Sequence, residues 1–201
     1  MVERVFLVRH AETVGNTMEL VQGIFDTELS ERGVREAKAL GEVLSKEKID
    51  AIYSSDLGRV RQTMRESNLE SKFKTIYAGE LRERNYGVLE NRVWRELSEE
   101  ESMVYKSHNF RPDGGESLED LNARVLPFFN KMLLEKEESV VILTHHNVIS
   151  AISCFLLGMP LEKWRVFRTD NASISEFYYR DGIWRIKRIN DTCHLNKSFL
   201  V

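Results

Sequence analysis

Short runs of apolar residues alternate along the chain with longer stretches in which apolar positions recur every three or four residues. The short runs are typical of buried strands, whereas the longer pattern is typical of helices with one apolar face. We therefore predict strands at residues 5–8, 51–53, 73–77 and 140–143, and helices at residues 30–46, 57–64, 117–132 and 148–157. Two final strands are predicted at residues 173–179 and 183–189.

Several residues mark where these elements should begin, bend or turn. Ser30 and Asp56 stand before two of the predicted helices, where a side-chain oxygen can accept hydrogen bonds from the first backbone N–H groups. Pro127 lies inside the third helix and should bend or interrupt it, because proline has no N–H donor. Asp181 and Gly182 separate the last two strands and predict a tight hairpin.

The order of these elements indicates the fold class. Strands separated by helical segments favour βαβ units, and therefore an α/β fold: a three-layer α/β/α sandwich with a mostly parallel central sheet. The sequence contains no internal repeat, linker or low-complexity segment. We therefore predict a single domain over residues 1–201.

Composition narrows the class of partner. The chain has 201 residues and a formal net charge of -3, so it offers no basic footprint for nucleic acid or for an anionic membrane surface. Cys154 and Cys193 are its only cysteines and have no CxxC spacing, which argues against a disulfide framework and a structural zinc site. No apolar run approaches the roughly 20 residues of a membrane span, and the N-terminus does not resemble a signal peptide. We expect a soluble, cytoplasmic protein whose partner is a small molecule, with its oligomeric state left open.

Charged side chains directly follow three of the predicted strands. Arg9 and His10 follow the first, Arg59 lies one helical turn beyond the second, and His145 follows the fourth. Ligands bind beyond the carboxyl ends of the strands in a parallel α/β sheet, so we expect two imidazoles and two guanidiniums to converge there. Guanidinium groups match the oxygens of a phosphate, and the sequence therefore predicts a phosphate site.

The same residue types suit catalysis of phosphoryl transfer. A neutral imidazole nitrogen of His10 can attack phosphorus while cations stabilise the charge on the transferring oxygens. Arg9 and Arg59 disfavour protonation of His10 and should keep that nitrogen free near neutral pH. The leaving alkoxide then needs a proton, for which Glu83 is the candidate acid.

Over essentially its whole length the chain resembles the histidine phosphatase superfamily, in its phosphoglycerate-mutase-like branch. The matching motifs include Arg9-His10-Ala11-Glu12-Thr13, Gln22-Gly23, Leu29-Ser30-Glu31-Arg32-Gly33, Ser54-Ser55-Asp56-Leu57, Tyr86-Gly87, Gly114-Gly115-Glu116-Ser117, Thr144-His145 and Asn171-Ala172-Ser173-Ile174. Because these motifs occur in order, the resemblance is far more specific than any one of them.

The resemblance implies a role for each matching residue. His10, Glu83 and His145 would be catalytic, with His10 as the phosphoryl acceptor and Glu83 as the proton donor. Phosphate would be bound by Arg9, Asn16, Arg59 and His145, and the substrate pocket would contain Gln22, Gly23, Tyr86 and His146. Residues 84–116 would form a short cap over the site. No metal and no cofactor are implied.

The chain departs from the family pattern at two places. Ala11 replaces a glycine beside the nucleophile, and its methyl group is tolerable there if its φ is negative. His146-Asn147 replaces a Gly-Gly pair after the second histidine. The second departure concerns mainly His146. Its side chain is expected either to narrow the pocket mouth and contact substrate, or to point outward or cap the helix.

The resemblance implies a metal-independent enzyme that is either a phosphatase or a mutase. A phosphomonoesterase is favoured, because the segment between Glu83 and Gly114 is shorter than the cap expected of a mutase. A phosphoglycerate mutase is the alternative, since Arg92 and Arg95 lie near the position of the mutase lysine. A non-catalytic phosphate-binding module would keep the arginines without needing a nucleophile. Candidate substrates are a sugar phosphate, a ribazole phosphate or phosphoserine, and the sequence does not choose among them.

Two other kinds of site are disfavoured by the residues themselves. A metal site built from His10, Glu12, His145 and His146 would hold a cation beside two arginines. A dinucleotide site would need a G-x-G-x-x-G turn after the first strand, where bulky side chains stand instead.

Overall fold

The computed structural model describes residues 1–195, so the last six residues of the predicted domain lie outside the described part. Its centre is a six-stranded sheet with the strand order β3-β2-β4-β1-β5-β6. The strands are β1 (Arg4–Arg9), β2 (Ala51–Ser55), β3 (Thr75–Ala78), β4 (Ser139–Thr144), β5 (Ile174–Arg180) and β6 (Ile183–Asp191). All six predicted strands are confirmed, with shifts of one or two residues at most of their ends.

Helices connect the strands and flank the sheet. They are α1 (Val14–Thr17), α2 (Glu31–Leu44), α3 (Gly58–Glu66), α4 (Met103–Lys106), α5 (Leu118–Leu133) and α6 (His146–Leu156). Turns of 3-10 helix occur at Gly79–Leu81, Gly87–Leu89, Trp94–Glu96 and Leu161–Val166. No helix among residues 1–195 is both long enough and apolar enough to cross a membrane.

The sheet is mostly parallel, as the sequence predicts. β1 pairs with β4, β4 with β2, and β2 with β3, all in parallel register. The antiparallel pairs are β1 with β5 and β5 with β6. The β5–β6 hairpin turns at Asp181 and Gly182, both of which have positive φ, as expected for a two-residue turn that matches the twist of the strands.

Apolar side chains of alternate strand positions form the two interlayer cores. On β1, Val5 and Leu7 contribute to the core that contains α5 and α6. Phe6 and Val8 point to the opposite face and pack with residues of α2 and α3. Because successive side chains of a strand face opposite sides, this division confirms the three-layer α/β/α sandwich.

Ser30 caps α2 as predicted, by accepting a hydrogen bond from the N–H of Gly33, but the prediction of Asp56 as the cap of α3 is wrong. The carboxylate of Asp26, from a distant loop, instead accepts hydrogen bonds from the N–H groups of Gly58 and Arg59. Asp56 forms an ion pair with Arg82.

Pro127 does not interrupt α5, which runs without a break from Leu118 to Leu133. Both Pro127 and Ala123, whose carbonyl loses its helical donor at the proline, are exposed. Water can therefore satisfy that carbonyl, which lowers the penalty of a proline inside the helix.

The close packing of α2 against the loop after β1 leads to a stability prediction. A Cβ atom added at Gly33 would lie 1.9 Å from the carbonyl oxygen of Glu12. Since backbone cannot rotate away, Gly33→Ala should lower the free energy of unfolding by about 1–3 kcal/mol in urea denaturation. Gly79→Ala is the matched control, because its nearest neighbour is Arg82 at 3.8 Å. Equal stability of the two variants would contradict this packing.

Candidate active site

A cavity of about 600 Å³ lies at the carboxyl ends of the central strands. The adjacent order β2-β4-β1 brings together the three strand ends that carry the predicted phosphate site. Nine of the ten residues predicted for catalysis, phosphate binding or the substrate pocket line this cavity: Arg9, His10, Asn16, Gln22, Gly23, Arg59, Glu83, Tyr86 and His146. The convergence expected from the strand ends is therefore present in the structure.

His10 lies directly after β1 and its hydrogen bonds orient the ring. The backbone N–H of His10 donates to the carbonyl of Thr144 on the neighbouring strand, and Nδ1 lies 2.8 Å from the carbonyl oxygen of Ala11. A carbonyl can only accept, so Nδ1 carries the proton in the neutral ring. Nε2 then keeps its lone pair, which is the state that a nucleophile requires.

The surroundings of His10 favour the neutral ring. Burial is the largest cause, and the positive charges of Arg59 and Arg9 add to it, so that the pKa of His10 lies well below its usual 6.5. The sequence predicts the effect of the two arginines, but burial outweighs both because it penalises the charged form directly.

His145 is completely buried and contacts His10 without lining the cavity. The two ring centroids lie 5.2 Å apart. Arg59 donates to Nδ1 of His145, and Nε2 lies 2.9 Å from the Ser55 hydroxyl. Burial, followed by Arg59, His10 and Arg9, lowers the pKa of His145 well below 6.5. These contacts hold the ring neutral; its direct contact with phosphate stays a prediction.

The side chain of Arg59, on helix α3, lines the cavity and is held in place by several contacts. This side chain is 1% exposed, pairs with Asp26 at 2.6 Å, and donates to the carbonyls of Gly23 and Phe25. Gly23 has a φ of +55°, and a Cβ there would meet the Glu90 carboxylate at 2.1 Å. Glycine is therefore required at this turn, which brings a backbone carbonyl to the guanidinium.

Two side-chain amides of the wall are oriented by Thr13. The oxygen of Asn16 accepts a hydrogen bond from the N–H of Thr13, and the oxygen of Gln22 accepts from the hydroxyls of Thr13 and Thr27. The amide nitrogens are then the groups available to a ligand. Since amide nitrogens only donate, both residues suit an anion in the cavity.

Glu83 is 8% exposed and lies at the N-terminal end of α6. One carboxylate oxygen accepts from the N–H of Arg84 at 2.8 Å, and the other lies 3.3 Å from the N–H of Asn147. These two contacts come from different segments of the chain, so they fix the carboxyl group at the edge of the cavity that also contains His10.

The two departures from the family pattern have different consequences. Ala11 is not among the residues with positive φ, and it packs with Leu29 and Ala37 and does not line the cavity. His146 lines the cavity, where its Nδ1 lies 2.8 Å from the Thr169 hydroxyl. Of the two orientations expected for His146, the structure has the one toward the pocket.

Burial of His146 leads to a prediction about pH. Burial, aided by Arg9, lowers the pKa of His146 to about 4, whereas a histidine in the unfolded chain has a pKa of about 6.5. Between pH 6.5 and pH 4 the unfolded state binds a proton at this residue and the folded state does not. The free energy of unfolding therefore falls as the pH is lowered through this range. His146→Gln should therefore reduce the loss of unfolding free energy between pH 7 and pH 5 by about 2 kcal/mol. Equal losses in variant and wild type, measured by urea denaturation, would contradict this placement.

Sequence reasoning missed part of the cavity wall. Asn147 is 2% exposed and donates from its side chain to the Tyr86 hydroxyl. Other missed residues are Leu20, Trp94, Tyr105, Trp164, Arg165, Phe167, Arg168, Thr169 and Asp170. Within the described residues, no group of three or more His, Cys, Asp or Glu side chains is arranged to hold a metal ion.

Comparisons with known proteins agree on one family. A family model described as the histidine phosphatase superfamily, branch 1, matches residues 5–192. The chain is 33% identical over 203 residues to phosphoserine phosphatase 1 of Hydrogenobacter thermophilus, an alignment that covers 98% of this chain and 96% of the relative. It is 32% identical over 208 residues to a protein of Yersinia pestis named as a probable phosphoglycerate mutase, with coverage of 98% and 97%.

A solved structure has the same fold. A mycobacterial glucosyl-3-phosphoglycerate phosphatase, in complex with VO3, superimposes with a TM-score of 0.86 at 28% sequence identity. The match covers 95% of this chain and 100% of the mycobacterial chain. The likeness in fold therefore extends over nearly the whole chain.

Proposed function

The chain belongs to the histidine phosphatase superfamily, branch 1, and on that basis we propose that it hydrolyses small phosphomonoesters through a phosphoryl group carried on His10. Relatives named as phosphatases in both the sequence and the structure comparison support the activity. The observation that carries the chemistry is the His10 tautomer, in which Nδ1 is committed to the Ala11 carbonyl and Nε2 is left unprotonated.

In the first step, Nε2 of His10 attacks the phosphorus atom of the bound ester. A P–N bond forms, the ester P–O bond breaks, and the electron pair of that bond leaves with the alcohol oxygen. Glu83, as a carboxylic acid, gives its proton to this oxygen. Arg9 and Arg59 stabilise the negative charge on the transferring oxygens, together with the amide donors of Asn16 and Gln22.

In the second step, water takes the place of the departed alcohol. Glu83, now a carboxylate, accepts a proton from the water as the oxygen attacks phosphorus. The P–N bond breaks and its electron pair returns to Nε2, which releases inorganic phosphate and restores the neutral ring of His10. Burial and the two arginines support this cycle, since both favour the neutral imidazole between turnovers.

The mutase alternative is less supported, although one relative is named as a probable mutase. A mutase must hold the carboxylate of a phosphoglycerate and retain the intermediate in a closed site. Arg92 forms an ion pair with Glu101, and Arg95 pairs with Glu19. Neither arginine lines the large cavity, so the two cations nearest the mutase lysine position are engaged elsewhere.

A pair of assays tests the proposed function. We expect phosphate release from p-nitrophenyl phosphate in excess EDTA, because every step is assigned to side chains of this chain. Isomerisation of 3-phosphoglycerate, measured in parallel, should be far slower than hydrolysis. Isomerisation without hydrolysis would identify a mutase, and silence in both assays would favour a phosphate-binding module.

A further inference from the structure

The cavity is much larger than a phosphoryl group requires. The four non-hydrogen atoms of such a group and the ester oxygen, each given the roughly 30 Å³ that a water molecule occupies in the liquid, fill about 150 Å³. The cavity has a volume of about 600 Å³, which lies in the range of pockets that enclose whole small-molecule ligands. Most of the space is therefore available to the alcohol part of the substrate.

Aromatic side chains form much of the wall that faces this space. We refer to Trp94, Tyr105, Trp164 and Phe167 as the aromatic wall. The ring centroids of Trp94 and Tyr105 lie 3.6 Å apart, which makes them one continuous surface. The Tyr105 hydroxyl is buried with no hydrogen-bond partner among the described residues. An apolar surface with one unused polar group suits a ring that carries a hydrogen-bonding substituent.

Two arginines lie at the opening of the cavity. Arg165 and Arg168, which we call the arginine rim, line the cavity and are nevertheless exposed. Nε of Arg168 lies 3.2 Å from the carboxylate of Asp170. The side chain of Arg165 has no ion pair or hydrogen bond with any residue in the described range 1–195. The rim therefore offers at least one uncompensated positive charge to a ligand.

The arginine rim is distinct from the charges that serve the phosphoryl group. Arg9 and Arg59 lie next to His10 and are the two cations that lower its pKa, whereas neither rim residue contributes to that shift. A phosphoryl group held at His10 therefore uses Arg9 and Arg59. The exposed guanidinium groups of the rim remain available to another anionic group of the same ligand.

We propose that the substrate is a phosphomonoester of a ring-containing alcohol that carries a second anionic group, which Arg165 and Arg168 bind at the cavity mouth. This inference rests on the proposed phosphatase function and adds the substrate class. The ring contacts the aromatic wall, and the second anion, a carboxylate or another phosphate, accepts hydrogen bonds from the rim. The arrangement disfavours esters whose alcohol part carries a positive charge.

Two substrates that differ mainly in the second anion test this proposal. Phenyl phosphate is compared with its 4-carboxymethyl derivative, in which a methylene group limits the electronic effect of the carboxylate on the leaving oxygen. The quantity measured is the ratio of kcat/KM for the carboxymethyl ester, which carries the second anion, to kcat/KM for phenyl phosphate, which does not. We expect a ratio of at least about ten in the wild type, produced mainly by a lower KM.

Variants of the arginine rim distinguish direct binding of the second anion from long-range electrostatic attraction of any phosphate ester. Arg165→Gln should lower the ratio about fivefold, and the double variant Arg165→Gln/Arg168→Gln should bring it close to one. Arg180→Gln is the matched control. It removes one positive charge from a residue outside the cavity, at the C-terminal end of β5, where the side chain is 74% exposed. The ratio should stay at its wild-type value in this variant.

Two results would overturn the proposal while leaving the phosphatase function intact. One is a wild-type ratio near one. The other is an equal loss for both esters in the rim variants, which would mean that the arginines only attract phosphate over a distance. A wild-type enzyme that hydrolyses neither ester would overturn the proposed function itself, and this inference with it.

Discussion

Replacing His10 with alanine will lower kcat for phosphomonoester hydrolysis by at least about 10⁴-fold. The variant has no atom that can form the P–N bond, and Arg9 and Arg59 can then only bind the substrate. The affinity for inorganic phosphate should change much less than kcat, because the arginines and the side-chain amides remain. Phosphate release under single-turnover conditions and isothermal titration with phosphate measure the two quantities.

Controls are needed because the His10 ring is buried. Urea denaturation will show whether His10→Ala remains folded, and His10→Gln provides a second variant that fills more of the same space. His108→Ala removes a histidine that does not line the cavity and should retain wild-type kcat. Hydrolysis at a tenth of the wild-type rate or more by folded His10 variants would rule out His10 as the nucleophile.

The effect of Glu83→Gln should depend on the leaving group. For an alkyl phosphate we expect a loss of about 10²–10⁴-fold in kcat/KM, because the alkoxide leaves poorly without a proton. For p-nitrophenyl phosphate the loss in kcat/KM should be no more than about tenfold, since nitrophenolate leaves without protonation. Glutamine keeps the size of the side chain and one oxygen, which can accept from the N–H of Arg84 in place of the carboxylate oxygen that does so in the wild type.

A matched control for this variant is Glu80→Gln, which removes a nearby but exposed carboxylate outside the cavity and should leave both substrates unaffected. A loss of equal size for the alkyl and the nitrophenyl ester in Glu83→Gln would contradict the assignment. Glu83 would then act by holding the backbone of Arg84 and Asn147 in place rather than by moving a proton.

The candidate phosphate site could be predicted from sequence because several of its residues stand at the ends of strands. Arg9 is the last residue of β1, and His10 and His145 directly follow β1 and β4. Parallel strands place such residues at the same edge of the sheet. Short runs of apolar residues identified these strands, so the position of the candidate site followed from a local pattern. The convergence also requires that the three strands be neighbours, and the sheet meets this condition, since β4 lies between β1 and β2.

Contacts between distant segments could not be predicted in the same way. The carboxylate that caps the start of α3 belongs to Asp26, which lies 32 residues before Gly58 in the sequence. No local pattern therefore connects it with that helix. The loop after α6 returns to the cavity and places Trp164 and Arg165 in its wall. This loop forms only a short 3-10 turn, and its sequence has no periodic pattern that indicates a ligand site. His145 lies beside the cavity and not in its wall, with its ring bonded to Ser55 at the end of β2. That contact joins segments about ninety residues apart, so no local pattern indicates it.

The most direct test of the central claim is to trap the covalent intermediate with Glu83→Gln and p-nitrophenyl phosphate. Phosphoryl transfer to the enzyme needs no acid with this substrate, but attack by water has lost its base, so the intermediate should accumulate. Quenching in alkali, under which phosphohistidine survives, followed by mass spectrometry should find one phosphoryl group on His10. A phosphoryl group on another residue, or rapid hydrolysis with no phosphoenzyme at any time point, would contradict the account.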